Sequence, residues 1–391
     1  MQIRVPATFL RKLNEKRLLN AVRVGKRVSR ADLERTLQLA TPTVSRIVDR
    51  LVDEGWLREI GLAESLGSGR PPMLMDINPQ GIGAIGIELG RGVIRVVHTN
   101  LLGDIQKFAE STELCVDPEE FIRWIEAFLE ALRSAGDTII GIGVAAPGLQ
   151  AEESGEIALE DLGENWNTVG IITRLKDHFR VPVYFNNDSN AAVLGETWFG
   201  AARTAPHAAF ILMDEGIGAG LAVHGSIYNG ANHKAGEFSH AIVDLHGDTC
   251  MEGHRGCVNI ASSGPAILGA VQRLGGIDDP GTIDQVIERA QSRQWPEEEV
   301  ISRALDYLSA GIANLVRVFD PQVIVLGGRT MLAADFMVSE TARRTNLLLG
   351  SDERVVCKTS FGLNSVAMGA ATLVLQGIYD HTQLVQPGFH V

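Results

Sequence analysis

The sequence predicts an α/β protein in which a winged helix-turn-helix head precedes a larger body of two related lobes built on mixed sheets. Three observations carry this reading. Residues 1–72 hold 14 Lys and Arg against 8 Asp and Glu, a net of +6, which leaves −19 for the remainder against a total of −13. The same basic segment shows three short helical periodicities followed by a hairpin signal. Beyond residue 80, a strand-rich opening followed by alternating helices and strands occurs twice.

In the head, the apolar Leu10, Leu13, Leu18, Leu19 and Val22 lie opposite Arg11, Lys12, Lys16, Arg17 and Arg23, which predicts a helix over 9–24. Ser29 is placed to cap a second helix, ADLERTLQL. Thr41-Pro42 reads as an N-cap followed by proline at the first helical position of a third. That helix buries Val44, Ile47, Val48 and Leu51 and leaves Thr43, Ser45, Arg46, Asp49 and Arg50 outward. Short polar groups and arginines near a helix N-terminus suit readout of the DNA major groove. Gly55-Trp56-Leu57 starts a hairpin, running through residue 78, that would form a wing and that contains Ser68-Gly69-Arg70-Pro71-Pro72. An arginine held between glycine and proline suits a narrow, electronegative minor groove; a plain Gly/Pro linker is the alternative.

The body begins with strands at 82–88, 93–100 and 105–108, a helix at 119–134 and a strand at 138–144 that ends in Ala146-Pro147-Gly148. A helix (168–179), a strand (182–185) and a helix (189–199) complete the first round. The second has strands at 208–213 and 219–223, helices at 265–274, 283–292 and 300–319, and a strand at 323–326. With 391 residues, two or three domains are expected. No run of about 18 apolar residues and no charged-then-apolar leader is present, so a cytoplasmic protein without membrane insertion is expected. Four cysteines in so long a chain argue against a disulfide framework.

Two of those cysteines lie in AGEFSHAIVDLHGDTCMEGHRGC, residues 235–257. His240, Cys250 and Cys257 offer soft ligands on a glycine-rich knuckle, and Glu252 or His254 can supply a fourth. This segment resembles the ROK family, named for its repressors and sugar kinases. Its members carry G-E-x-G-H followed by C-x-C-G-x-x-G-C, with one His and three Cys on a structural zinc. Here Ser239 precedes the His, and Glu252 stands where the middle cysteine would. The metal set implied is His240, Cys250, Glu252 and Cys257, since zinc accepts carboxylate oxygen; a metal-free knuckle with two thiols is the alternative.

The resemblance runs from about Arg17 to about Ile378. It implies an actin-like, ribonuclease-H-like body of the hexokinase type. The division expected is 1–72 for the head, 80–188 plus 362–385 for the first lobe, and 189–361 for the second. Family members hold sugar between the lobes with an Asn-Asp pair, here Asn187-Asp188, and Gly148, Glu237 and His240 stand at further ligand-binding positions. By residue type alone, Asp188 is also a candidate general base, and Asp188 or Ser189 a candidate helix cap. The Glu expected two residues after the last knuckle cysteine is Asn259.

The phosphate motifs depart from the family. Kinase D-x-G-G-T is Glu88-Leu89-Gly90-Arg91-Gly92, and T-G-x-G is Glu215-Gly216-Ile217-Gly218. A carboxylate in place of a hydroxyl turns negative charge toward a triphosphate, with Arg91 a partial compensation. Gly327-Gly328, which resembles the adenosine-side motif, persists. No ATP is expected, no residue is assigned as catalytic, and Asp188 is read as a vestigial base.

The head also resembles the winged helix-turn-helix of ROK repressors, which the kinases lack and whose wing ends in a G-G-R-P-like motif. That implies operator DNA as partner, contacted by Thr43, Ser45, Arg46, Arg50 and Arg70, and a homodimer or dimer of dimers. The function expected is a sugar-responsive transcriptional regulator, most simply a repressor of carbohydrate uptake or catabolism genes. A sugar kinase with an appended head is the alternative, and relief of repression by a protein partner is a third possibility.

Overall fold

The computed structural model describes residues 7–64, 71–90, 92–112, 118–148, 168–350 and 355–379. The head comprises α1 (Ala7–Gly25), β1 (Val28–Ser29), α2 (Arg30–Leu37), α3 (Thr41–Asp53), β2 (Leu57–Leu62) and β3 (Met73–Ile77). Ser29 caps α2 as predicted. Its hydroxyl accepts the Asp32 amide at 3.2 Å, and its own amide donates to the Asp32 carboxylate at 3.0 Å, a reciprocal capping box. The start of α3 differs by one residue. Ala40 holds the N-cap position without a side-chain bond, because the Thr41 hydroxyl donates to Glu34 at 3.0 Å instead.

The three strands form an antiparallel sheet in the order β1-β3-β2. Since β3 runs to Ile77, the wing's return strand lies beyond the limit expected at residue 72. Residues 65–70, which include Arg70, lie outside the described residues.

The first lobe follows with β4 (Ile82–Gly90), β5 (Val93–Asn100), β6 (Ile105–Ser111), α4 (Pro118–Ser134), β7 (Thr138–Ala146), α5 (Thr168–Phe179), β8 (Val183–Asn187) and α6 (Asp188–Phe199). The second contains β9 (His207–Met213), β10 (Ile217–Val223), β11 (Ser226–Ile227), α7 (Val258–Ser262), α8 (Gly264–Gly275), α9 (Ile283–Gln291), α10 (Glu297–Phe319), β12 (Val323–Gly327), α11 (Arg329–Leu332), α12 (Asp335–Leu349) and β13 (Val355–Lys358); α13 (Ser365–Tyr379) closes the described chain.

The two lobes share one topology. The first sheet has the order β6-β5-β4-β7-β8 and the second β11-β10-β9-β12-β13. In each, three antiparallel strands open the sheet and two parallel strands extend it from the first. This is the mixed two-lobe architecture that the repeated pattern predicts.

Helix α13 returns to the first lobe and packs on β4, β7 and α6. The Ala370 carbonyl comes so close to Gly143 of β7 that a Cβ there would lie 1.8 Å away. The α6 helix lies between the lobes, against α13 on one side and β9 and β10 on the other. A single buried cluster joins head to body. Leu18, Val22, Val48, Leu51 and Met75 belong to the same core as Val97, Leu101, Ala371 and Tyr379. Burying side chains of this size stabilises by about 1.5–3 kcal/mol each, so the head is a packed part of the molecule and not a tethered module. No helix among the described residues is long and apolar enough to cross a membrane.

Candidate functional site

A cavity of about 440 Å³ opens between the lobes. From the first lobe and α6 it is lined by Glu88, Gly148, Asn187 and Asp188, and from the second by Asp214, Glu215, Glu237, His240, Glu252 and Asn259. All five residues expected to bind ligand, namely Gly148, Asn187, Asp188, Glu237 and His240, therefore meet in one cleft. They come from segments up to about ninety positions apart in the chain.

Asn187 sits at the end of β8 and caps α6. Its Oδ1 accepts the Ser189 and Asn190 amides at 3.0 and 3.2 Å, and its Nδ2 donates to the Gly148 carbonyl at 3.1 Å. The cap is thus Asn187, not Asp188 or Ser189. Both ends of its amide are engaged in holding the Gly148 turn against the helix. Asp188, one residue on, accepts the Ser189 amide at 2.5 Å and its hydroxyl at 3.0 Å. Its position in the first turn of α6 places the carboxylate where the helix amides favour negative charge. The first turn of α6 also meets β10 closely, and only glycine fits: a Cβ on Gly220 would lie 2.0 Å from the Ser189 carbonyl. The glycine run at 216–220 is accordingly a strand-on-helix crossing.

One wall of the same cavity is acidic. Glu88 is buried at the end of β4 and accepts a bond from Arg95 at 3.1 Å, while its Oε2 has no partner among the described residues. Burial pushes its carboxyl up to about 7; Arg95 opposes the shift, and Asp214 and Asp188 add to it. Asp214 is also raised, chiefly by burial and against a hydrogen bond from the Arg329 amide. Glu215 is exposed at the β9–β10 turn. Arg91, expected to compensate these charges, lies outside the described residues. The compensating cations within them are Arg329 and Arg95, and Arg95 also donates to Glu110 at 2.6 Å. Sequence reasoning missed Arg95, yet a signal existed: the β4–β5 hairpin sets Glu88 directly opposite Arg95.

The knuckle folds beside this wall. Val243 and Asp244 amides donate to the Gly256 carbonyl at 2.8 and 3.1 Å, and the Tyr307 hydroxyl of α10 holds Asp244 at 2.8 Å. Gly256 has φ +66°, and a Cβ there would lie 1.5 Å from the Asp244 carbonyl, so this reversal requires glycine. Ligand atoms of His240, Cys250 and Cys257 lie within 4.8 Å of one another, as do those of His240, Glu252 and His254. Cys257 is buried, and that burial pushes its thiol up. His240 Nδ1 is buried without a hydrogen-bond partner, while Nε2 lies 3.2 Å from Glu252. An orphaned imidazole nitrogen beside two thiols fits a bound zinc ion. Asn259, which replaces the expected Glu, is turned to the scaffold and accepts the Ile217 amide at 3.1 Å.

In the head, α3 buries Val44, Ile47, Val48 and Leu51 as predicted. Arg46 is exposed, and Thr43 and Ser45 are half-buried on the outer side. Arg50 differs from expectation: it pairs with Glu15 of α1 at 2.5 Å, a contact that locks α1 to α3. A second cavity, about 1140 Å³, lies where head meets body. There the Arg23 guanidinium of α1 stacks over Trp198, 4.5 Å from the ring centroid, and over Tyr379 at 5.2 Å. Trp198 lies near the end of the helix that starts at Asp188.

Comparison with known proteins agrees with this architecture. Residues 84–377 match the model of the ROK family, and residues 12–63 match that of the MarR family. A putative xylose repressor from Caldicellulosiruptor sp. (strain Rt8B.4) is 31% identical over 351 residues, 86% of this chain and 88% of that protein. The crystal structure of a ROK family transcriptional regulator, a homologue of the E. coli Mlc protein, superposes with a TM-score of 0.79 at 22% identity, covering 96% of this chain and 98% of that one. A ROK hexokinase from Thermus thermophilus superposes with a TM-score of 0.66 at 24% identity, and 99% of it covers only 76% of this chain. The hexokinase is thus accounted for by about three quarters of the chain, whereas the regulator matches nearly all of it. With its winged-helix head, two-lobed body and a family match over 84–377, the chain belongs to the ROK family.

Proposed function

We propose that this protein is a sugar-responsive transcriptional repressor of carbohydrate uptake or catabolism genes and not a sugar kinase. The observation that carries the reading is the packing of a winged-helix head onto a body whose cleft joins a polar clamp to a wall of carboxylates. Operator DNA is the partner of the head, with Arg46 on the exposed side of α3 and Arg70 at the wing. A protein acting as a homodimer, or dimer of dimers, would present two such heads to a palindromic site.

A sugar or sugar derivative is the effector. Asp188 and Glu237 are carboxylates able to accept hydrogen bonds from hydroxyls, and the His240 ring lines the same cavity beside them; together they suit a polyol. Phosphoryl transfer from ATP is disfavoured on the other side, where Glu88, Asp214 and Glu215 converge without a described cation other than Arg95 and Arg329. The relative named a putative xylose repressor supports the same conclusion. Zinc, held by His240, Cys250 and Cys257 with a fourth ligand from the knuckle turn, would brace the wall that carries His240 and supply no chemistry beyond that.

The coupling runs through α6. Effector bound at its first turn biases the position of the helix, and Trp198 near its other end passes that bias to Arg23 of α1. A ligand shifts the equilibrium only by its differential affinity for the two arrangements, so tight binding alone does not release DNA. Calorimetric titration of the purified chain with a panel of free and phosphorylated sugars, run beside an ATP-turnover assay, tests the reading. Binding of one sugar without turnover is expected; sugar-dependent ATP hydrolysis would make the protein a kinase.

A further inference from the structure

We infer that His254 is the fourth protein ligand of the zinc site, and that Glu252 instead orients His240 from the cleft side. The inference rests on the reading that the knuckle holds zinc, and it concerns which side chain closes the tetrahedron.

Three observations on the turn point to His254. The Cys250 amide donates to the His254 carbonyl at 2.8 Å, and the Gly253 amide donates to the Cys250 carbonyl at 2.9 Å. The chain therefore reverses between the two residues, and their side chains emerge together. Cys250 Sγ then lies 3.6 Å from His254 Nδ1. Zinc bonds of about 2.3 Å to sulfur and about 2.0 Å to nitrogen, opened at a tetrahedral angle, put such donors roughly 3.5 Å apart. The His254 ring also lies beside that of His240, with centroids 4.5 Å apart.

Glu252 is placed for a different task. Its Oε2 is 3.2 Å from His240 Nε2, its side chain is 66% exposed, and it lines the cleft with His240. A zinc-bound histidine uses one ring nitrogen for the metal and donates through the other to a carboxylate or carbonyl. His240 has its buried Nδ1 without a partner and its Nε2 facing Glu252, which matches that division of labour. Charge agrees with geometry. Two thiolates and two neutral imidazoles leave the zinc site electrically neutral. Glu252 is thereby a positioning residue that fixes the His240 ring at the effector cavity.

The experiment is zinc K-edge X-ray absorption of the full chain prepared with zinc, with metal content measured in parallel. The wild type is expected to hold one zinc per chain in a shell of two sulfurs and two imidazoles. In His254→Ala one imidazole signature should disappear; His254 is exposed, so the variant should fold. Glu252→Ala should keep both imidazoles while zinc affinity falls roughly 10- to 100-fold, and Glu252→Gln, which retains an acceptor oxygen, should recover most of that loss. A zinc-loaded chain whose shell is unchanged in His254→Ala but altered in Glu252→Ala overturns the inference and leaves the metal reading standing. A wild type that holds no zinc overturns both.

Discussion

The interlobe cleft brings together two groups of residues, each drawn from both lobes, that differ in their surroundings. On one side, Asp188 and His240 are carried by a capped helix and a braced knuckle, with polar edges turned into the cavity. On the other, Glu88 near the end of β4 and Glu215 at the β9–β10 turn add further carboxylates to the cavity. The two groups belong to different loops of the same scaffold, so the residues of one can change while those of the other are kept. The winged-helix head is packed on the body that carries both groups.

The largest effect that would break this contrast lies at the clamp. Asp188→Ala should weaken effector binding roughly 10- to 100-fold, the cost of losing hydrogen bonds to a charged group, and leave operator affinity intact. An unchanged sugar response in that variant would remove Asp188 from the site. Next in size is the head. Arg46→Ala should weaken DNA binding by about 1–3 kcal/mol if it reads a base, with unchanged thermal stability. Arg50→Ala should instead lower the stability of the head, since its partner is Glu15; thermal melts and DNA titrations of the two variants separate these roles. Arg23→Ala should uncouple the molecule, preserving sugar and operator affinities while reducing the effect of one on the other. A stacked guanidinium is worth about 0.5–2 kcal/mol.

The smallest effect is a pH dependence at Glu88. Glu88 titrates near about 7 in the folded chain against an ordinary 4.5, because burial disfavours its charge. The folded state therefore holds this proton more tightly than the unfolded chain. Its contribution is fully present below pH 4.5 and is lost as pH rises to about 7. Denaturant melts of wild type and Glu88→Gln across that window should show the wild type losing ground as pH rises; a constant difference would place Glu88 in a more solvated setting.

Much of this was legible in the sequence where the signal is local. The capping box at Ser29, the buried stripe of α3 and the strand rounds of both lobes all follow from spacing over a few residues. Helix α13 was not predicted, since nearly all of its residues are buried and an all-round apolar helix shows no periodic contrast. The Asn187 cap was assigned to its neighbours because three adjacent residues can all cap, and only geometry chooses. Contacts such as Asp214 with the Arg329 amide, 115 residues apart, have no local trace. The Arg95–Glu88 pair was within reach of strand pairing but required the hairpin register.

The central claim, that the cleft governs the head, is tested most directly by fluorescence anisotropy of the full chain on DNA from its own promoter region. The titration is run at fixed salt, because salt alone shifts such affinities strongly, with each sugar of the panel added in turn. Specific binding that one sugar changes in the wild type but not in Asp188→Ala is expected. Specific binding that every sugar leaves unmoved would contradict it.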